Sequence, residues 1–107
     1  MLDIAAYVAV FNEAVPSGDW APFLDQFTDD ATMQFVGPPV GPFVGRQAIA
    51  DAYATSPPDD TIEILGASTV DDRDVVASFR WQRGRETGTM RFTEQAGRVH
   101  RLVISFD

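Results

Sequence analysis

Histidine occurs once in this chain, at His100, and no other side chain present changes its charge near neutral pH at an ordinary pKa. To act as an acid or base in a dyad it needs a carboxylate on the same face. None can be assigned there, and the plainer structural reading sets it at the rim of the fold near a strand end. Cysteine is absent, which removes disulfides, thiolate catalysis and cysteine-ligated zinc or iron–sulfur sites. One histidine does not assemble a metal cage either, so neither a metal nor a cofactor is expected. Gly84 and Gly88 match no phosphate-loop spacing. Gly45-Arg46 could draw an anion to a helix start, but a lone arginine among so many acids pairs more simply with a nearby carboxylate.

Those acids number 16 against 8 basic residues, for a formal charge of −8. Such a surface repels nucleic acid and anionic membranes, and neither is an expected partner. The acids cluster at turns and caps, including Asp29, Asp30, Asp59, Asp60, Asp71, Asp72 and Asp74, which reads as a solvated surface. With 107 residues, 45% of them hydrophobic, the chain has the size and composition of one ordered domain spanning 1–107. No basic region precedes the apolar start and no apolar run approaches the ~20 residues of a spanning helix. The expected location is the cytoplasm.

The elements that must position any site follow from spacing. Apolar residues from Leu2 to Val15 recur at helical intervals, Asp3 can cap their start, and Pro16-Ser17-Gly18 ends them. Asp19 caps a second helix through about Phe27, with Pro22 in its first turn. Ala31 to Val36 alternates as a strand, and Gly37 to Pro42 is a loop. A third helix runs from Gly45 to about Ala54, with Ile49 and Tyr53 on one face. Four strands complete the chain: Thr61 to Val70, Asp74 to Gln82, Glu86 to Glu94 and Arg98 to Phe106, with gaps short enough for antiparallel hairpins. This is an α+β order. One parity of the strands is apolar: Met33 and Phe35; Phe79 and Trp81; Met90 and Phe92; Leu102, Ile104 and Phe106. His100 shares that parity and would point inward if the alternation held. Gln34, Arg80, Thr89, Arg91 and Arg101 make the other face polar.

Gly18-Asp19-Trp20, Phe27 to Thr32, Gly45 to Tyr53, and Gly97-Arg98-Val99 ahead of Ser105-Phe106-Asp107 together span almost the whole chain. In that order they resemble the SnoaL-like, ketosteroid-isomerase-like branch of the nuclear transport factor 2-like superfamily. The resemblance implies a cone: a strongly curved, mostly antiparallel sheet wrapped around about three N-terminal helices, with an internal pocket and commonly a homodimer through the outer sheet face.

Ketosteroid isomerase works with an aspartate base and two donors, a tyrosine and a neutral aspartic acid. The places resembling these fall on Phe35, Phe11 and Gly88, none of which can move a proton or hold an enolate oxygen. Tyr7, the nearest alternative donor, lies one helical turn from Phe11, ~5.4 Å along the axis. Tyr53 falls on a tyrosine that supports the donor network in the isomerases. The aspartate–arginine–aspartate arrangement of epoxide-hydrolysing relatives and the inner-strand aspartate of cyclases have no counterpart at the inward positions.

The expected function is therefore the binding of a small lipophilic molecule, without the isomerase groups. Its pocket would be lined from the helices by Phe11, Phe27 and Tyr53, and from the strands by Met33, Phe35, Trp81, Met90, Phe92, Leu102, Ile104 and Phe106. An isomerase, cyclase or hydrolase using Tyr53 or His100 as proton shuttle is the first alternative. A structural homodimer with its core packed shut by these aromatics is the second. A homodimer is expected in any case, since a hollow shell of this length buries little surface by itself.

Overall fold

In the computed structural model, which describes residues 2–107, α1 (Ile4–Ser17) starts where Asp3 caps it, the carboxylate accepting the Ala6 amide at 3.0 Å. Pro16 sits in the last turn, and the helix stops at Gly18, whose φ of 74° lies in the left-handed region that a Cβ disfavours. The Asn12 side chain then fixes α1 against the sheet. Its Nδ2 donates to the Ile62 carbonyl and its Oδ1 accepts the Ile62 amide, both at 2.9 Å.

The second helix, α2 (Ala21–Leu24), is a single turn with Asp19 Oδ1 accepting the Ala21 amide at 3.1 Å. It is shorter than the spacing predicts. Phe27 does not close this helix; it opens β1 (Phe27–Val36), because the chain from Gln26 onward is taken up by a distant partner, the Val99 amide donating to the Gln26 carbonyl at 2.8 Å. The loop that follows delivers an unanticipated two-residue strand, β2 (Phe43–Val44), and Gly45 starts α3 (Arg46–Thr55).

Strands β3 (Ile62–Thr69), β4 (Asp74–Trp81), β5 (Thr87–Gln95) and β6 (Arg98–Phe106) lie close to their expected bounds. All six strands form one open sheet in the order β2-β1-β6-β5-β4-β3. Every neighbouring pair is antiparallel except β1 with β6, which is parallel, so the sheet is mixed. Register shifts interrupt the β1–β6, β3–β4 and β5–β6 ladders, and such bulges bend and twist strands. No helix of the described residues is long and apolar enough to cross a membrane.

The helices cover the face carrying Met33, Ala77, Phe79, Met90, Phe92 and Leu102, all buried. The opposite face exposes Gln34, Ser78, Arg91 and Arg101. Surface pairs such as Arg91 with Asp74 at 2.6 Å and Arg80 with Glu63 at 2.7 Å lie among solvated groups and contribute little to stability. Asp60 does more. Its carboxylate accepts the Thr61 amide at 2.8 Å, the Gly84 amide at 2.9 Å and the Arg83 amide at 3.1 Å, tying the entry of β3 to the turn between β4 and β5. The Gly84 amide bond, with those from Arg83 and Thr61, holds this carboxyl below the usual carboxylate range.

At the centre of the core is Phe23, fully buried. Its ring meets Tyr7 and Phe11 of α1 at 5.5 and 5.8 Å, Trp20 at 5.3 Å, Phe27 of β1 at 5.1 Å and Tyr53 of α3 at 5.1 Å. Aromatic pairs at these separations add to the burial of each ring. Phe23→Ala is expected to lower the unfolding free energy by about 3–5 kcal/mol, read as a fall in the denaturant midpoint at unchanged slope. A loss below about 1 kcal/mol, the ordinary size of a point-mutation effect, would contradict this placement.

Candidate functional site

Away from Phe23 the helices and the sheet part, leaving a cavity of about 580 Å³. Its sheet wall is built from alternate residues of four strands: Phe35 from β1, Phe79 and Trp81 from β4, Met90 from β5, Ile104 and Phe106 from β6. The helices supply Tyr7 and Phe11 from α1 and Ala48, Ala52 and Tyr53 from α3, while Ile62 closes the side by β3. Val40, Phe43, Asp51, Thr55, Ser56 and Pro58 complete the lining; most of these are exposed, so this end is the mouth.

Ring geometry stiffens the wall. Phe35 and Phe106 stack with centroids 6.2 Å apart and planes 5° from parallel, and Phe43 meets Phe35 edge-on at 6.4 Å. Phe79 stands edge-on to both Phe106 and Trp81, at 6.3 and 5.8 Å. It has room because the residue opposite on β5 is Gly88. A Cβ at position 88 would come within 2.5 Å of the Ser105 carbonyl oxygen and 2.7 Å of the Phe79 ring.

Of the eleven residues expected around a ligand, seven stand on this wall: Phe11, Phe35, Tyr53, Trp81, Met90, Ile104 and Phe106. Phe27, Met33, Phe92 and Leu102 point the same way but lie in the packed core with no exposed surface, off the cavity lining. Residues absent from that expectation also reach the cavity. Tyr7 is four residues from Phe11 and Phe79 two from Trp81, so their periodicities were readable. Val40 and Phe43 arrive from a loop and a two-residue strand, which no periodicity announces.

His100 lies outside the cavity lining. On β6, Val99 pairs with Glu94 and Arg101 with Thr93, so His100 is the extra residue of a bulge. Alternation therefore slips between Val99 and Leu102, which are both buried although three residues apart. The imidazole is about one-third exposed, with Nδ1 3.1 Å from Thr28 Oγ1 and 3.5 Å from Asp30 Oδ1. Arg46 is engaged at the start of α3, pairing with Asp29 at 2.6 Å and donating to the Phe27 carbonyl at 3.3 Å.

The polar groups left to the cavity are few. Asp51 is its one carboxylate among the described residues, exposed at the mouth and accepting from Gln47 Nε2 at 2.9 Å. Inside stand two phenols, Tyr7 and Tyr53, 2% and 8% exposed. Tyr53 donates its hydroxyl to Met33 Sδ at 3.7 Å, a weak acceptor. Burial raises the pKa of both well above the ordinary tyrosine value, and for Tyr7 the neighbouring Tyr53 adds to the rise. Both hydroxyls are therefore neutral donors, not bases, across the physiological range.

The profile of the SnoaL-like domain family matches residues 4–103. No curated protein is significantly similar in sequence. Among solved structures, the chain is similar to a nuclear transport factor 2-like protein from Anabaena variabilis, with TM-score 0.74 and 18% identity over 97% of this chain and 86% of that one. It is similar to a protein from Kribbella flavida proposed to be a ketosteroid isomerase, with TM-score 0.75 and 15% identity over 95% and 76%. It is also similar to a proposed polyketide cyclase from Sinorhizobium meliloti, with TM-score 0.68 and 24% identity over 92% and 93%. At such identities the likeness shows the fold.

The two phenols give a direct check, because the chain has no other tyrosine. In the unfolded chain they ionise near about 10; in the folded one they cannot, so stability is complete below that pH and falls as pH rises through it. Near-ultraviolet absorbance should show no tyrosinate at pH about 10, then both signals in one step as the fold opens. Smooth ionisation of either phenol near pH 10 in folded protein would contradict the burial.

Proposed function

Since the chain belongs to the SnoaL-like domain family, we propose that it binds a small lipophilic molecule in the aromatic cavity and does so without ketosteroid isomerase chemistry. The observation that carries this reading is the cavity itself: about 580 Å³, walled by aromatic and aliphatic side chains and open at one end. That volume lies within the range of roughly 300–1,000 Å³ common to small-molecule sites, and it favours a receptor over a core closed by its own aromatics.

The positions resembling the isomerase's polar groups support the second half of the proposal. Phe35 and Phe11 are on the wall, where they add apolar surface and no proton-transfer group. Gly88 brings no side chain, and the Phe79 ring and the Ser105 carbonyl crowd the space into which one would grow. Asp51, the remaining carboxylate, stands in water at the mouth.

We further propose that the working form is a homodimer joined through the outer face of the sheet. Val36, half exposed, and the partly exposed Val76 and Val103 lie on that face beside Gln34 and Arg91. A partner there would cover apolar surface that one chain leaves open.

Binding to the folded state raises its melting temperature. A fused-ring hydrocarbon or ketone present at a hundredfold over its Kd should raise Tm by roughly 10–20 °C, and Ala52→Phe, which narrows the cavity, should suppress the shift. A panel of such compounds that leaves Tm unmoved would defeat the receptor reading. Sedimentation equilibrium should return twice the 11.7 kDa chain mass; a single-chain mass at micromolar concentration would defeat the dimer.

A further inference from the structure

Two loops border the cavity mouth, and each carries a Pro-Pro pair. Pro38-Pro39-Val40 lies between β1 and β2 and brings Val40 to the lining, while Pro57-Pro58 lies between α3 and β3 and brings Pro58. Proline fixes its own φ, so both are short stiff segments. They differ in how they are held. The second is tied down at its far end, where the Asp60 carboxylate accepts the Thr61, Gly84 and Arg83 amides at 2.8, 2.9 and 3.1 Å and Asp59 pairs with Arg83 at 3.3 Å. At its near end the Ser56 amide donates to the Ala52 carbonyl at 2.9 Å.

The first loop has no such ties. Among the described residues, the one hydrogen bond made by 37–42 is internal, from the Val40 amide to the Pro38 carbonyl at 2.8 Å, and all six residues are exposed. A segment with so few bonds to the body of the fold moves at low free-energy cost. Glycine stands on either side of the stiff part: Gly37 and Gly41 adopt φ of 108° and 79°, in the region that glycine enters freely. Beyond these joints the chain is packed again, with Phe43 edge-on to Phe35 at 6.4 Å. Val40 borders the cavity and still leaves 47% of its surface to water. Movement inward onto an apolar molecule would bury the remainder, which favours closure.

Resting on the reading of the cavity as a ligand site, we infer that residues 37–42 are a lid, whose Pro38-Pro39-Val40 body swings about Gly37 and Gly41 to lay Val40 over a bound apolar molecule. The Ser56–Asp60 loop is the fixed side of the mouth. Binding then takes two steps, entry through the open mouth and closure of the lid, and release waits for the lid to reopen.

N-phenyl-1-naphthylamine, an uncharged fluorophore that brightens in apolar surroundings, tests this by stopped-flow mixing. With the wild-type chain the signal should rise in a phase whose rate grows with probe concentration, then in a second whose rate levels off, as a closure step requires. In Val40→Gly, with melting curves confirming the fold, the second phase should vanish and the probe should leave about tenfold faster. Because the chain has no cysteine, a single one also reports the lid. Saturating probe should slow the reaction of Val40→Cys with N-ethylmaleimide about tenfold, and leave unchanged that of Val44→Cys, which is 71% exposed and outside the cavity lining. One phase in the wild-type chain, linear in probe concentration, overturns the lid and leaves the receptor reading intact. A levelling phase that persists in folded Val40→Gly, or a Val40→Cys thiol equally reactive with and without bound probe, overturns it too. Failure of the probe to bind removes both.

Discussion

Phe23 touches five other rings, and each of the three helices is placed through it. It sits on α2, a single turn too short to hold itself together, since helices of this length are far below what nucleation allows in water. What keeps α2 in position is the burial of this ring between Tyr7 and Phe11 on one side and Phe27 and Tyr53 on the other. An aromatic side chain cannot be compressed, so it also sets how far α1 and α3 stand from each other and from the sheet. Phe23 does not border the cavity, but Tyr7, Phe11 and Tyr53 do. Each presents one side to Phe23 and another to empty space, so the ring that closes the core at one end frames the chamber at the other.

The sheet supplies the remaining wall through a mixture of strict alternation and its local failure. From Leu102 to Ile104 on β6 and from Ala77 to Phe79 on β4, side chains of one parity go inward without interruption. Between Val99 and Leu102 a bulge inserts His100 and turns it out beside Thr28 and Asp30. The same irregularity reaches β1, where Phe27 pairs with Val99 and Thr32 with Arg101, five residues along β1 against two along β6. Bending of this kind lets one sheet wrap around helices instead of lying flat under them. Gly88 contributes differently: by carrying no Cβ it lets Phe79 lie across β5 as a piece of aromatic wall.

Charge is kept apart from this interior. The net −8 is spread over turns, caps and the outer sheet face, where Asp3, Asp19 and Asp60 cap backbone amides and Asp29, Asp59 and Asp74 meet arginines. Among the described residues no charged or polar side chain is buried apart from the two tyrosines. The cavity is thus walled mainly by apolar side chains, and its one carboxylate among the described residues, Asp51, stands exposed at the mouth.

Several of these features were legible in the residues themselves. Asp3, Gly18 and Gly45 delimit helices by local backbone chemistry, and the apolar parity of the later strands follows from a period of two, so the α+β class, the bounds of the last four strands to within a residue and seven residues of the cavity wall could be read in advance. What could not be read depends on partners far along the chain. The parallel pairing of β1 with β6 ends the second helix early and starts a strand at Phe27. The bulge at His100 moves the one histidine out of the interior, and the division of inward residues into a packed set with Met33 and Phe92 and a lining set with Phe35 and Trp81 depends on where the bent sheet leaves the helices. Local periodicity determines which way a side chain points; how much space it meets there is decided by the separation of elements, which Phe23 and the bulges set only once the chain has folded.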